Sequence, residues 1–315
     1  MIAHRRNSLS VVVAVGIALA AAPTSSWAQE APSEHGVDVD FAVDGAVTAG
    51  LLLSTGLVTL IPVDTDQRWD NELFGDLDEG VKDNFSTSAA ELSDMLITLT
   101  SLAPVLLQLP GGLNEETGRR LLLYSESVGA SLFVNNVAKY VVQRPRPYTY
   151  NEDPRVQAYE VEQGKDAYLS FYSGHASTAF AAAVSGSYLF SLGGNEEPTK
   201  ATVWFFQMAL ATATSNLRVR AGKHFYSDVL IGAIAGSAIG FAVPALHADD
   251  RGVRMPSGLE WGAIAGGILV GGVASQLLPL DSDILTPLDS DSRASVSVVP
   301  LAQAGVASIG FAGTF

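Results

Sequence analysis

The chain has 315 residues, enough for one large helical domain with appendages or for two domains. Eighteen Lys and Arg against 33 Asp and Glu give a formal charge of −15, which excludes nucleic acid as the main partner, because polyanions recruit basic stripes. Only 16% of residues are charged and 48% are hydrophobic, so the chain holds either a large core or a membrane segment, and the absence of cysteine removes disulfides, thiolate nucleophiles and Cys-bound metals.

Arg5 and Arg6 precede an apolar run from Leu9 to Ala22, and Ser26-Trp27-Ala28 supplies small residues for a cleavage site. Residues 1–28 therefore read as a secretory signal peptide. The segment 29–85 is expected to hold an apolar helix over residues 41–63, then an exposed acidic connection over residues 64–84. Residues 86–250 read as the catalytic core. Here a helix over residues 86–109 is stopped by Pro110-Gly111-Gly112, and Asn114 caps another that ends near Val142, before Pro145 and Pro147. Residues 144–171 form a polar, Tyr- and Pro-rich connection, long enough to be functional. Three helices follow, over residues 174–192, 199–217 and 224–246, rich in the Ala, Gly and Ser that permit close helix approach. The extension 251–315 is Gly-rich, with an apolar run over residues 257–278 and alternation that suggests a small terminal β-hairpin around Gln303-Ala304-Gly305. The expected fold is all-α, a bundle of about six core helices.

Basic and polar residues gather at the ends of these helices. Lys139, Arg144 and Arg146 close one; Ser173-Gly174-His175 opens the next, after the long connection; Arg218, Arg220, Lys223, His224 and Asp228 span a helix junction. If consecutive helices run up and down, these ends share one face. A local positive pocket in an acidic protein points to a small, multiply charged anion, and phosphate suits Arg forks and helix N-termini. His224 and Asp228 are spaced i, i+4, which on a helix would let the carboxylate accept the imidazole N–H. The other histidines, His4, His35 and His247, stand outside these clusters.

In this order and spacing the motifs resemble the type 2 phosphatidic acid phosphatase superfamily, which includes bacterial acid phosphatases and vanadium haloperoxidases. The matching residues are Lys139, Arg146 and Pro147 in KYVVQRPRP; Ser173, Gly174 and His175 in YSGH; and Arg218, His224 and Asp228 in LRVRAGKHFYSD. Two positions depart: Tyr172 replaces Pro, with a narrower pocket as one consequence, and Leu217 replaces Ser. The resemblance implies a phosphatase that uses no metal and no cofactor. It makes His224 the nucleophile, held by Asp228, and His175 the proton donor, with Lys139, Arg146, Arg218, Ser173 and Gly174 holding the phosphate oxygens. Arg144, Arg220 and Lys223 are left as supporting or surface charges.

The substrate class implied is a phosphomonoester or a lipid phosphate, and oligomeric state stays open. The alternatives are a vanadate-dependent haloperoxidase and a non-catalytic envelope scaffold of the same fold. An exported, periplasmic protein is expected, soluble or peripherally attached to a membrane; the alternative is an integral inner-membrane protein. Parity favours the former, since three spanning helices after an external N-terminus would turn Lys139 toward the cytoplasm. Asp44, Glu126, Asn135 and Asn136 would also be costly in lipid.

Overall fold

The computed structural model describes residues 35–66, 76–280, 295–303 and 306–314. The expected signal peptide and part of the acidic connection lie outside these residues. The chain divides into two compact units, one of which covers Ala31–Ile284.

That unit contains nine α-helices among the described residues: α1 (Phe41–Val58), α2 (Asp76–Glu79), α3 (Thr87–Gln108), α4 (Glu115–Val142), α5 (Pro154–Gln163), α6 (Gly174–Ser191), α7 (Glu197–Arg220), α8 (Tyr226–Leu246) and α9 (Gly258–Leu277). Their starts follow local capping chemistry. Asp40, Ser86, Asn114, Asp153, Ser173 and Ser257 each accept a backbone N–H of the following turn through their side chains. α4 ends where Gln143 turns left-handed, φ 49°, just before Arg144-Pro145.

The long helices fall close to the expected spans, with four differences. α1 stops at Val58 because the chain turns ahead of Pro62. α7 runs on to Arg220, since nothing interrupts it before Gly222, whose φ of +68° is left-handed. A β-carbon on Gly222 would also collide with the Asn84 carbonyl, so this turn needs glycine on both counts. The connection over residues 144–171 contains α5, which Asp153 caps and Pro154 opens at its first position. Finally, α8 begins at Tyr226, so His224 precedes the helix it was expected to open.

α6 sits at the centre, packed against α3, α4, α7 and α8. Every residue from Ala176 to Ser191 is buried, and this explains the apolar and small side chains all round it. Gly232, Gly236 and Gly240 of α8 lie against the backbone of Ser173, Ser177 and Ala181, a spacing of four that lets the two helices approach closely. The main core gathers Leu123, Phe180, Tyr188, Leu189, Trp204 and Met208. Four helices, α1, α3, α8 and α9, are long and apolar enough to cross a membrane, and between 11% and 28% of their apolar windows is buried inside the fold.

The two described strands belong to the other unit. Ser295–Gln303 pairs antiparallel with Val306–Thr314, Gln303 opposite Val306 and Ser295 opposite Thr314.

Candidate active site

The helix ends flagged by composition converge on one cavity of about 550 Å³. Lys139, Arg146, His175, Arg218 and His224 line it, joined by Lys223, Asp94, Glu91, Tyr159 and Asp166. Ser173, Gly174 and Asp228 stand behind its wall. Ser173 Oγ accepts the Ala176 N–H at 3.3 Å as the α6 cap, and a β-carbon on Gly174 would lie 2.9 Å from Asn135 Oδ1 and 3.6 Å from Lys139 Nζ. Glycine at this point lets the α6 N-terminus reach the lysine. A second cavity of about 790 Å³, whose walls include Phe180, Trp204, Met208 and Trp261, has no charged lining residue.

Each arginine has a distinct setting. Arg146 donates to the Asp166 backbone at 2.8 Å, to Asp166 Oδ1 at 2.9 Å and to the Lys223 carbonyl at 2.9 Å, leaving little freedom in its plane. Arg218 donates to Ser93 Oγ at 3.1 Å and to Asp94 Oδ1 at 3.3 Å. Lys139 makes no ion pair among the described residues, and Lys223 meets only the Tyr159 hydroxyl and the Tyr148 and Tyr159 rings. Burial, reinforced by Arg146, lowers both lysines to a pKa of about 7. The lining sets Lys139, Arg146, Arg218 and Lys223 against Glu91, Asp94 and Asp166, and because Asp166 and Asp94 are engaged by the two arginines, the lysines are left to an anion.

His224 is 1% exposed, and its Nε2 lies 3.2 Å from Arg146 Nη1. A guanidinium can only donate, so Nε2 is the unprotonated nitrogen and its lone pair accepts the Arg146 N–H. Burial pushes the His224 pKa well below its ordinary value, and Arg146, Arg218 and Lys139 push it the same way. The Asp228 contact differs from the expected helical pair. Asp228 Oδ2 is 3.8 Å from His224 Nδ1, too far for a hydrogen bond, while Ser170 Oγ lies between them, 3.5 Å from Nδ1 and donating to Asp228 Oδ2 at 2.5 Å. Asp228, at the third position of α8, also accepts the Phe225 N–H at 3.0 Å. Its place in the helix start, not a shared helical face, brings it near the imidazole.

Two functional neighbours, Asp94 and Asp78, escaped the sequence reading, and a third, Arg144, turns out to be a supporting charge rather than a surface one. Asp94 of α3 meets His175 Nε2 at 2.7 Å, and the sequence held a clue, for Glu91 and Asp94 are the two charged residues of an otherwise uncharged helix. Burial lowers the His175 pKa to about 4, and Asp94 opposes that shift. Arg144, left as a supporting or surface charge, is buried and bridges two buried acids, Asp228 at 2.7 Å and Asp78 at 2.9 Å. Asp78 comes from the acidic connection, expected to be exposed; it also accepts the Ser227 N–H at 3.0 Å. Arg220, in contrast, faces away and donates to the backbone of Leu278 at 3.0 Å.

The tyrosines of the long connection divide. Tyr148 and Tyr168 are buried with Val156 and Ala167, Tyr150 packs edge-on to Phe225, and Tyr159 lines the cavity. Tyr172 does not narrow the site: its side chain is buried away from the cavity lining, and its carbonyl accepts from Asn135 Nδ2 at 2.7 Å.

No curated protein and no solved structure matches the chain. The PAP2 superfamily profile matches residues 120–251, from α4 to just beyond α8, and covers all the expected site residues. A match of this kind supports hydrolysis of phosphate esters in general and singles out no particular member. Residues 120–251, which supply the lysines, arginines and histidines of the cavity, thus form a PAP2 superfamily domain.

Proposed function

We propose that the protein is a phosphatase that hydrolyses phosphomonoesters or lipid phosphates through a phosphohistidine, with no metal ion in the chemistry. The observation that carries this reading is the neutral His224, its Nε2 lone pair beside Arg146 and its cavity shared with Lys139 and Lys223. Nε2 attacks phosphorus and the bond to the ester oxygen breaks. His175 gives its proton to that oxygen, then takes one from the water that cleaves the P–N bond and releases phosphate. Lys139, Arg146 and Arg218 hold the three remaining oxygens, with the α6 N-terminus at Ser173 and Gly174 adding its dipole. Asp228 acts on His224 through Ser170, and Asp94 holds the His175 ring. An incoming phosphate dianion supplies the negative charge that raises His175 from about 4 and makes it a usable acid.

The test is phosphate release from soluble monoesters and from lipid phosphates, with vanadate as inhibitor. Vanadate can take five ligands around the same oxygens, so inhibition is expected, and EDTA is expected to leave the rate unchanged at the assay temperature. Loss of activity in EDTA, restored by a divalent ion, overturns the mechanism. Halide oxidation on adding vanadate, without phosphate release, would assign the haloperoxidase chemistry instead.

His175→Ala is expected to cost little with nitrophenyl phosphate, whose leaving group needs no proton, and about a hundredfold or more with an alkyl phosphate. Equal losses on both substrates would remove His175 from the acid role.

The pH dependence follows from the two lysines. Their pKa is lowered to about 7, so both carry charge below that value and lose it above. Inorganic phosphate is therefore expected to inhibit well on the acid side and progressively less as pH rises through about 7. Unchanged inhibition from pH 6 to 9 in Lys139→Met, with normal weakening in the wild type, would credit Lys139 with the effect; a flat wild-type profile would refute it.

We place the protein in the periplasm, soluble or peripherally bound, on the signal-like N-terminus and the parity of the helices. The outward apolar faces of α1, α3, α8 and α9 favour a second reading, integral insertion. Carbonate washing of membranes separates the two.

A further inference from the structure

Near the middle of α4, away from the phosphate cavity, three side chains from separate elements meet: Asp44 of α1, Glu126 of α4 and His247 at the C-cap of α8. One ligand-capable atom of each lies within 4.8 Å of the others. Thirteen residues of helix put Glu126 about 20 Å from Lys139, so this is not part of the anion site.

The histidine's protonation can be read from its neighbours. His247 Nδ1 lies 2.8 Å from the Val243 carbonyl, which can only accept, so Nδ1 carries hydrogen. In the neutral ring Nε2 is then a bare lone pair, yet it faces Asp44 Oδ1 at 3.4 Å. Two acceptors face one another. Glu126 adds to the deficit: it is 8% exposed, and its Oε2 is buried with no hydrogen-bond partner among the described residues. A proton on the imidazole would serve Asp44 and leave Glu126 unsatisfied. A divalent ion serves all three and balances their two negative charges.

We propose that Asp44, Glu126 and His247 bind a divalent transition-metal ion, zinc in the first instance, as a structural clamp that ties α1 to α4 and α8. One imidazole and two carboxylates suit zinc, whereas calcium prefers six to eight oxygens. With metal–ligand bonds of about 2.1 Å, ligand atoms around a tetrahedral ion stand about 3.4 Å apart, the separation found between Asp44 and His247. The Nδ1–H to carbonyl bond is the outer contact that orients metal-bound histidines. The surrounding backbone is held as well: Asp38 N donates to the His247 carbonyl at 2.8 Å, and Val37 pairs with Ala248. The clamp would therefore fix the segment entering α1 against the end of α8.

The experiment uses the full mature chain, stripped with chelator, dialysed and titrated with zinc alone. One equivalent is expected to bind and to raise the unfolding midpoint, while phosphate release at the assay temperature stays the same with or without zinc. Glu126→Gln and His247→Gln are expected to weaken uptake at least tenfold; two separate variants guard against one that misfolds. His175→Ala is the control that must keep its zinc. Absence of stoichiometric uptake by the wild type overturns the proposal, as do full uptake by both folded variants or loss of uptake in the control, which would put the ion in the phosphate cavity.

Discussion

His224→Ala is expected to reduce phosphate release by at least about a thousandfold while the protein stays folded. The size follows from the chemistry: among the described residues lining the cavity, His224 is the group with an unprotonated nitrogen pinned beside an arginine, and without it the covalent intermediate cannot form. Residual catalysis would come from the phosphate-binding groups alone, which nucleophile knockouts elsewhere leave far behind the intact enzyme. Folding should survive because the ring makes few polar contacts, to Arg146 at 3.2 Å and Ser170 at 3.5 Å, and neither partner depends on it. Arg146 keeps Asp166 and the Lys223 carbonyl; Ser170 keeps Asp228. A folded variant, judged by its unfolding midpoint and by retained phosphate binding, that kept a tenth of wild-type activity would remove His224 from the nucleophile's place.

Helix ends were legible because they are written locally. Ser86, Asn114 and Ser173 cap through their own side chains, and Gly222 and Pro145 punctuate through their backbones. The alternation of helix direction then brought Lys139, His175, Arg218 and His224 to one end without any knowledge of long-range contacts. What could not be read were partnerships between distant segments. Asp94 and His175 are 81 residues apart and Asp78 and Arg144 are 66 apart, and no periodicity links them. The acidic connection misled in the same way, because composition predicts exposure for a charge run and cannot single out the one carboxylate that an interior arginine will draw inward. His224 and Asp228 illustrate a subtler limit. Their spacing is that of a helical pair, but the helix starts two residues after the histidine, so closeness across the helix start replaces a shared face.

Arg144→Ala is expected to destabilise the protein by roughly 3–5 kcal/mol, more than any substitution in the cavity itself. Arg144 and Asp78 are 3% and 1% exposed at their side chains and Asp228 is fully buried, so removing the guanidinium strands two carboxylates away from water. The ring of Phe225, 4.0 Å below the guanidinium, would lose its stacking partner too. Arg144→Lys should not restore stability, since one ammonium cannot match the planar fork that reaches Asp228, Asp78 and Ser227 at 2.7, 2.9 and 2.8 Å. Adding Asp78→Asn to Arg144→Ala should recover part of the loss, because one of the stranded charges is then gone, and the non-additivity of that cycle measures the pair. Denaturant unfolding of the four proteins reads it directly. A loss below about 1 kcal/mol for Arg144→Ala would mean that the carboxylates find water or protons instead. In that case Asp228 would be neutral or hydrated, and its hold on His224 through Ser170 could no longer be an ionic one. The stability of this buried triad and the positioning of the nucleophile are therefore the same question, asked from two sides of the cavity wall.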